Sequence, residues 1–220
     1  MQVCLNYNRC SIRSAVMPSD FETIARELIE IGHLFHQRGW VPATSGNFSA
    51  RLDDGSLAIT ASGRHKGRLD LEDILHTDAD GNTDELQRPS DESLLHILLY
   101  QRLPEINAVL HPHTVNATLL SRLHQTHLSL QDYELLKTFA GIDSHDCQVR
   151  VPIFANDQDI ARLANRVDRY IDANPDLVGF LIQGHGFYTW GESIDEAIRH
   201  VEAFEFMFEC EMRLLSVRSS

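Results

Sequence analysis

The chain has 220 residues, of which 43% are hydrophobic and 23% are charged, so it is long enough to bury a full hydrophobic core. Its formal net charge of −13 argues against nucleic acid as a partner, because phosphate backbones need a basic surface, but it leaves open a small anion held by a few local donors. No apolar run approaches the roughly 18 residues that span a membrane. The four cysteines form no C-x-x-C pair, which predicts a cytoplasmic protein with free thiols.

Helical and extended patterns are interspersed along the chain. Capping signals and apolar residues at helical spacing predict helices over residues 19–37, 90–101, 114–123, 156–173 and 193–215, with a short helix in "SLQDYELLKTF". Short apolar stretches predict strands in "NFSARL", "LAITASG", "INAVLH" and "CQVRVPIF", and strand–turn–strand units in "DILHTDADGNTDEL" and "LVGFLIQGHGFYTWG". Because the paired units resemble hairpins, we expect one sheet with antiparallel strands and helices on its faces.

The first residues of the chain fit none of these patterns. Residues 1–18 are weakly basic, show no clear period and lack the apolar core of a signal peptide, whereas an orderly helix begins just after Met17. We therefore predict an N-terminal extension over residues 1–18, which is either disordered or the product of a mis-assigned start. A single domain over residues 19–217 is expected to follow it.

Two histidines, His111 and His113, flank Pro112 at the end of the predicted strand "INAVLH". Residues i and i+2 of a strand project to one face, so both imidazoles can reach one ion if the extended geometry continues across the proline. Otherwise one caps the next helix and the other is a surface residue. A third histidine, His185, stands between two glycines in "QGHGFYTWG". Three imidazoles with an open position are typical of catalytic zinc, although Fe(II), Co(II) and Ni(II) also accept them.

Three stretches of small residues stand at the ends of predicted strands and helices. They are "ATSGNFS", "TASGRHKG" and "RPSDES", and the last places Ser90 at a helix N-terminus, where free N–H groups and the helix dipole favour a phosphate. Lys66 in the second stretch adds a positive charge. Each stretch alone is typical of an ordinary turn or helix cap. Beside a histidine metal site, the three together favour a phosphorylated substrate.

Two glutamates are candidates for acid–base chemistry. Glu92 lies in the first turn of the helix predicted over residues 90–101, and Glu134 lies among leucines in "LQDYELLK". Apolar surroundings can raise the pKa of a carboxyl group and so suit it to act as a general base. With 32 acidic residues in the chain, either glutamate could equally be a solvated helix residue.

Taken in chain order, "SGNFS", "TASG", "PSDES", "HPHT" and "GHG" resemble the class II aldolase/adducin family over about residues 19–215. Within that family, "RGWVPATSGNFS", "ASGRHKG", "QDYELLK" and "HGFYTWGES" look most like its sugar-phosphate dehydratases. The resemblance implies a three-layer α-β-α fold with a central, mainly antiparallel sheet. It also implies a homotetramer whose active sites lie near subunit interfaces.

The resemblance also implies roles for particular residues. The positions that match ligands of one zinc ion per subunit are His111, His113 and His185. Those that match contacts to the substrate phosphate are Asn47, Ser62, Gly63 and Ser90, with Lys66 beside them. Those that match catalytic residues are Glu134 and Glu92. Glu92 matches the acid–base position of the aldolases and Glu134 that of the dehydratases, and we favour Glu134. Asp91 stands where some aldolases have a serine, so no phosphate contact is assigned to it.

The activity that the resemblance implies is dehydration of 5-methylthioribulose 1-phosphate to 2,3-diketo-5-methylthiopentyl 1-phosphate, a step of methionine salvage. In this reaction zinc acts as a Lewis acid on the C2 carbonyl, Glu134 removes the C3 proton, and the C4 hydroxyl leaves as water. One alternative is a sugar-phosphate aldolase or 4-epimerase of the same family. Another is a non-catalytic adducin-like interaction domain, which would have no need of three histidine ligands.

Overall fold

The computed structural model describes residues 20–218, so the extension predicted over residues 1–18 lies outside it. The described helices are α1 (Phe21–Gln37), α2 (Ser93–Arg102), α3 (Val115–Leu123), α4 (Ile160–Ala173) and α5 (Ile194–Arg218). The strands are β1 (Asn47–Arg51), β2 (Leu57–Thr60), β3 (Ile74–Thr77), β4 (Ala108–His111), β5 (His127–Gln131), β6 (Gln148–Phe154), β7 (Gly179–Ile182) and β8 (Gly186–Gly191). Short 3-10 turns cover Lys66–Arg68, Leu71–Asp73 and Glu134–Thr138.

The eight strands form one sheet in the order β3-β2-β1-β4-β8-β7-β6-β5. Neighbouring strands pair antiparallel throughout, except that β6 and β7 are parallel. The predicted central, mainly antiparallel sheet is therefore confirmed. Because β4 lies between β1 and β8, the end of β4 is flanked by segments that are distant in the sequence.

Helices cover both faces of the sheet, which confirms the predicted three-layer α-β-α fold. Helices α1, α3 and α5 share one buried apolar cluster with the sheet, and α2 and α4 share a second cluster with its other face. Successive residues of a strand point to opposite faces, so on β4 Leu110 belongs to the first cluster and Val109 to the second. By the same alternation, His111 at the end of β4 faces the α2 side.

Two predicted elements are wrong. Within the described residues, "DILHTDADGNTDEL" forms β3 and the predicted turn, in which the Asp78 carboxylate accepts the N–H groups of Asp80 and Asn82, but no returning strand. The N–H of His76 in β3 donates to the Glu85 side chain instead of to a returning strand. The segment "SLQDYELLKTF", which was predicted as a helix, starts inside strand β5. Only Glu134–Thr138 within it is helical, as a 3-10 turn. In β5 the alternating residues Leu128 and Leu130 are buried, so period-two burial decides the structure there.

Helix starts differ from the prediction by one turn in two places. The first residue of α2 is Ser93 rather than Ser90, and α4 is capped by Asp159, whose carboxylate accepts the N–H of Arg162, rather than by Asn156. The cap of α5 agrees with the prediction, since the Ser193 hydroxyl accepts the N–H of Glu196 at 3.2 Å. None of the helices between residues 20 and 218 combines the length and the hydrophobicity that a membrane-spanning segment requires.

Candidate metal centre and active site

The candidate site forms where the ends of three strands meet the start of α2. His111 is the last residue of β4, and its partner across the ladder is Asn47, the first residue of β1. His185 lies in the turn between β7 and β8, and Glu92 immediately precedes α2. The sheet order therefore brings together residues that are up to about 140 positions apart in the sequence.

Backbone geometry around the histidines depends on glycine. A Cβ on Gly186 would lie 2.3 Å from the carbonyl oxygen of Pro112, so only glycine fits beside the H-P-H segment. Gly184, with φ of +66°, makes the turn that presents His185. Helix α3 also holds this turn in place, because Thr118 Oγ1 donates a hydrogen bond to the carbonyl oxygen of His185 at 3.0 Å. The glycines that flank His185 are therefore part of the site.

The three histidines direct their Nε2 atoms toward one point. The Nε2 atoms of His111 and His113 are 2.8 Å apart, those of His113 and His185 3.0 Å, and those of His111 and His185 3.4 Å. Three nitrogens at about 2.05 Å from one tetrahedral ion would be about 3.3 Å apart. His111 Nδ1–H donates to the carbonyl oxygen of Phe187 at 2.8 Å, which leaves its Nε2 as a lone-pair ligand. The donor set fits a divalent cation.

Glu92 completes the cluster. One carboxylate oxygen lies 3.0 Å from His185 Nε2 and the other 3.7 Å from His111 Nε2, and one ligand atom from each of the four side chains lies within 4.8 Å of the others. Burial works to raise the pKa of Glu92, but the hydrogen bond from His185, the electrostatic attraction of the His185 and His113 rings and the Asn47 amide outweigh it and hold the pKa below its usual range. Glu92 is therefore a carboxylate at neutral pH.

The cluster histidines at the H-P-H segment are neutral at physiological pH. Burial, reinforced by the neighbouring imidazoles, lowers the pKa of His113 to about 2 and moves the pKa of His111 well below its ordinary value. Metal ions bind neutral imidazole, so at pH 7 these two residues are already in the state that binds a cation.

The predicted phosphate loops lie side by side. A bridge between Ala61 and Pro89, and a hydrogen bond from the N–H of Ser62 to the carbonyl of Arg88 at 2.9 Å, join "TASG" to "RPSDES". Ser90 precedes Glu92 by two residues, and its hydroxyl accepts the Glu92 N–H at 3.3 Å. The structure therefore brings Ser62 and Ser90 to one edge of the site, with Gly63 between exposed turn residues at a φ of +70°.

Lys66 is buried although it carries a charge. Its side chain is 1% exposed, and Nζ donates to the carbonyl oxygens of Arg64 at 2.9 Å and Thr44 at 3.4 Å. Burial lowers the pKa of Lys66 to about 8, against the opposing effects of Asp73 and Glu92. A lysine held in this way near Glu92 supplies a positive charge close to the cluster. This charge is lost when the pH rises into the mildly alkaline range.

Glu134 is placed apart from this cluster within its own chain. Its side chain is 73% exposed and pairs with Lys137 at 2.7 Å and with His145 at 3.8 Å. The hydrogen bond and charge of Lys137 hold the pKa of Glu134 below its ordinary value, so the expectation of a raised pKa in apolar surroundings is wrong for the isolated chain. The structure does not bring Glu134 together with the three histidines.

Two buried residues of the site were not predicted from the sequence. The ring of His111 stacks on Tyr188, with centroids 4.0 Å apart and an angle of 11° between the planes. His96 of α2 is completely buried and hydrogen-bonds to Asn47. The signal for His96 is its spacing, because Glu92, His96 and Tyr100 recur every four residues and so share one face of α2.

Similar proteins were identified by sequence. A family model described as the class II aldolase and adducin N-terminal domain matches residues 26–212. A protein from Methylococcus capsulatus named methylthioribulose-1-phosphate dehydratase is 55% identical over 200 residues, which cover 91% of this chain and 98% of that protein. A protein of the same name from Pseudomonas aeruginosa is 54% identical over 203 residues, covering 91% of this chain and 99% of the relative.

Solved structures agree with this relationship. YgbL from Escherichia coli superposes with a TM-score of 0.76 at 28% identity, covering 88% of this chain and 90% of that one. The L-fuculose-1-phosphate aldolase from Thermus thermophilus superposes with a TM-score of 0.73 at 25% identity, covering 90% of this chain and 98% of the aldolase. Since the family model spans most of the chain and relatives are more than half identical to it, the chain belongs to the class II aldolase and adducin family.

Proposed function

We propose that this chain is a hydro-lyase that converts 5-methylthioribulose 1-phosphate to 2,3-diketo-5-methylthiopentyl 1-phosphate in methionine salvage. The observation that carries the proposal is the three-histidine and Glu92 cluster in a chain that is 55% identical, over nine-tenths of its length, to a methylthioribulose-1-phosphate dehydratase. A non-catalytic interaction domain would not need four metal-binding groups aimed at one point. The cluster therefore favours an enzyme.

The residues of the cluster would hold one zinc ion per subunit. His111, His113 and His185 supply three nitrogen ligands, and three protein ligands with a further open position are the pattern of catalytic zinc. Glu92 lies beside these nitrogens and would be available as a carboxylate ligand. When bound, the ion supplies Lewis acidity, which stabilises negative charge on oxygen next to the carbon that loses its proton.

The remaining residues would orient the substrate. The proposed phosphate contacts come from Asn47, Ser62, Gly63 and Ser90, with the charge of Lys66 nearby. Holding the phosphate fixes C3 relative to the base, which converts proton removal into a reaction between positioned groups. A carboxylate, proposed as Glu134, takes the C3 proton, and the C4–O bond then breaks. The departing hydroxyl receives a proton from the protonated Glu134, directly or through a water that Glu134 positions, and leaves as water, and the resulting enol tautomerises to the diketone.

The proposal extends to assembly and location. We propose a homotetramer, because Glu134 can reach a histidine cluster only if the exposed surface around it is apposed to another subunit. We also place the protein in the cytoplasm, where the free thiols Cys147 and Cys210 would stay reduced. Residues 19–217 would form its single catalytic domain.

The charge of Lys66 predicts an alkaline limb in the pH profile. If Lys66 attracts the substrate phosphate, kcat/KM should fall above pH 8, by about tenfold per pH unit, as the ammonium deprotonates. Global unfolding does not explain such a fall. The pKa of Lys66 is lower in the folded chain than its ordinary 10.5, so its contribution to stability rises with pH between about 8 and 10.5.

Steady-state kinetics of Lys66→Met between pH 6.5 and 9.5 test this prediction. The variant should have low kcat/KM at neutral pH and no limb near pH 8. Arg68→Met is the matched control, because Arg68 is a neighbouring exposed cation in the same 3-10 turn. An unchanged alkaline limb in Lys66→Met would remove Lys66 from substrate binding.

The activity itself is tested by a three-substrate assay. We expect methylthioribulose 1-phosphate to give diketone, with loss of activity after chelation and recovery on addition of Zn²⁺. Fuculose 1-phosphate and ribulose 5-phosphate address the second candidate, a sugar-phosphate aldolase or 4-epimerase, which Glu92 favours by its place in the cluster. Release of an aldehyde or an epimer, with no diketone, would replace the dehydratase by that candidate. A protein that folds without metal and turns over none of the three would favour the interaction domain.

A further inference from the structure

A chain of buried polar groups lies behind Glu92. We propose that His96 is a positioning residue: it holds the side-chain amide of Asn47 in the one orientation that donates to Glu92, and so fixes the Glu92 carboxylate against the three histidines. This inference rests on the proposed function in treating the cluster as a metal centre. It concerns residues that do not themselves touch the metal or the reacting carbons.

Hydrogen bonds connect the second apolar cluster, on the α2 side of the sheet, continuously to the histidine and Glu92 cluster. Tyr100 OH lies 2.9 Å from Ser49 Oγ, which lies 2.7 Å from His96 Nδ1. His96 Nε2 is hydrogen-bonded to Asn47 Oδ1, and Asn47 Nδ2 donates to Glu92 Oε2 at 3.0 Å. These four polar residues behind Glu92 are at most 6% exposed. Their hydrogen bonds are therefore made with each other rather than exchanged with solvent.

The Glu92 carboxylate sets the direction of every hydrogen bond in this series of buried polar groups. An ionised Glu92 can only accept, so the Asn47 atom facing it must be the NH₂ group, and Asn47 Oδ1 must face His96. His96 then has to carry its proton on Nε2. Burial lowers the pKa of His96 to about 3, so the ring is neutral and has one N–H only.

The rest of the chain follows from that single proton. With the proton on Nε2, Nδ1 of His96 is an acceptor, and the Ser49 hydroxyl must donate to it. The Ser49 oxygen in turn accepts the hydroxyl proton of Tyr100. Each buried group has one role, and reversing the Asn47 amide would set an oxygen against the carboxylate and the NH₂ group against the Nε2–H of His96. The Nε2–H of His96 therefore holds the amide in the orientation that the carboxylate requires.

This arrangement depends on the spacing of polar residues along one helix and along one strand. Glu92, His96 and Tyr100 stand four residues apart on one face of the α2 turn and helix, and Asn47 and Ser49 stand two residues apart on one face of β1. The α2 face packs on that strand face, so the groups alternate between helix and strand. Because the amide oxygen is held by His96, both N–H bonds of Asn47 are directed away from it, which suits Asn47 to an anionic substrate as well.

The proton position can be measured in the wild-type chain. Long-range ¹H–¹⁵N correlation spectra of protein labelled at histidine separate the two neutral tautomers, and His96→Gln identifies the His96 signal by its loss. We expect His96 as the Nε2–H tautomer from pH 6 to 9. An Nδ1–H tautomer or an imidazolium would overturn the proposal. This measurement needs no turnover, so it is independent of which sugar phosphate is the substrate.

Two substitutions separate positioning from packing. The Nε2 amide of glutamine can replace the His96 Nε2–H donor, whereas leucine has none. We expect His96→Leu to lose about tenfold to a hundredfold in Zn²⁺ affinity and in kcat, and His96→Gln to stay within about threefold of wild type. Gln101→Leu, at an exposed position of α2, is the control and should leave both unchanged.

The outcomes decide between the two explanations. Wild-type Zn²⁺ affinity and kcat in His96→Leu would overturn the proposal, and so would an equal loss in His96→Gln, because the donor would then not matter. If His96→Leu does not fold, the tautomer and the His96→Gln values still decide. A failure of the diketone assay with normal metal affinity and the expected tautomer would count against the proposed function alone.

Discussion

Replacing His111 with alanine is expected to abolish cation binding and to lower turnover by about three orders of magnitude or more. The Nε2 atom of His111 lies 2.8 Å from that of His113 and 3.4 Å from that of His185, so the substitution removes one of three converging ligands. The ring also stacks on Tyr188 and donates to the Phe187 carbonyl, so some stability is lost as well. Metal content by mass spectrometry, diketone formation and thermal unfolding measure the three effects.

His200→Ala separates loss of the ligand from loss of a buried histidine. His200 is 6% exposed, and Nδ1 lies 2.6 Å from the Trp190 carbonyl oxygen, yet it stands outside the cluster. We expect both variants to unfold at lower temperature and only His111→Ala to lose its metal. A stoichiometric ion and normal turnover in His111→Ala would refute the site. Equal metal loss in His200→Ala would mean that destabilisation alone releases the ion.

The histidines were predictable because their signals are local. Spacing of i and i+2 at the end of β4 places His111 and His113 together, and the glycines beside His185 mark a turn, one by its positive φ and the other by a close approach to the Pro112 carbonyl. The mainly antiparallel sheet was predictable for a similar reason, since hairpin-like pairs need only short connections. The prediction that all three histidines meet at one point depended on the family resemblance, because the strand order cannot be read from the sequence alone.

Elements governed by distant packing were not predictable in this way. The segment over β5 contains both a helical spacing of leucines and the alternation of Leu128 and Leu130, and it becomes a strand because β6 pairs with it. The segment after β3 was predicted to return as a strand, but its polar residues form a turn closed by the Asp78 side chain, and no partner strand follows within residues 20–218. In both cases the local pattern was ambiguous and tertiary contacts or a side chain decided the outcome.

The roles of His96 and Glu134 show two further limits. The spacing of His96 from Glu92 is visible in the sequence, but its importance depends on which face of α2 meets β1, and that is set by the whole fold. Glu134 lies on the exposed surface of its own chain, so its relation to any active site depends on contacts between subunits. A single chain carries no local signal for such contacts.

The two candidate carboxylates should fail in different ways when each is replaced by glutamine. Glu134 is outside the cluster, so Glu134→Gln should keep its metal while turnover falls about 10²- to 10⁴-fold, as expected for loss of a general base. Glu92 faces two of the histidines, so Glu92→Gln should weaken metal binding and lower turnover together. Glu105→Gln, at another exposed glutamate, is the control for an unspecific effect of charge.

If Glu92→Gln keeps its metal and loses turnover while Glu134→Gln stays active, the base is Glu92. That result would be consistent with the geometry of the isolated chain, because Glu92 is already beside the proposed metal. It would also move the site closer to the pattern of the aldolases. Metal content and kcat measured on the same preparations distinguish the two outcomes.

Mixing subunits tests whether Glu134 acts across an interface. Glu134 pairs with Lys137 and His145 on an exposed surface, so as the base it would serve the histidine cluster of a neighbouring subunit. Glu134→Gln and His111→Ala subunits are each expected to be inactive. After random reassembly, a site is complete when an intact cluster meets an intact Glu134 from its neighbour, which gives roughly a quarter of the wild-type activity in a cyclic assembly. Mixed oligomers with no recovered activity would show that both residues act within one chain, whereas activity in Glu134→Gln alone would show that Glu134 is not the base.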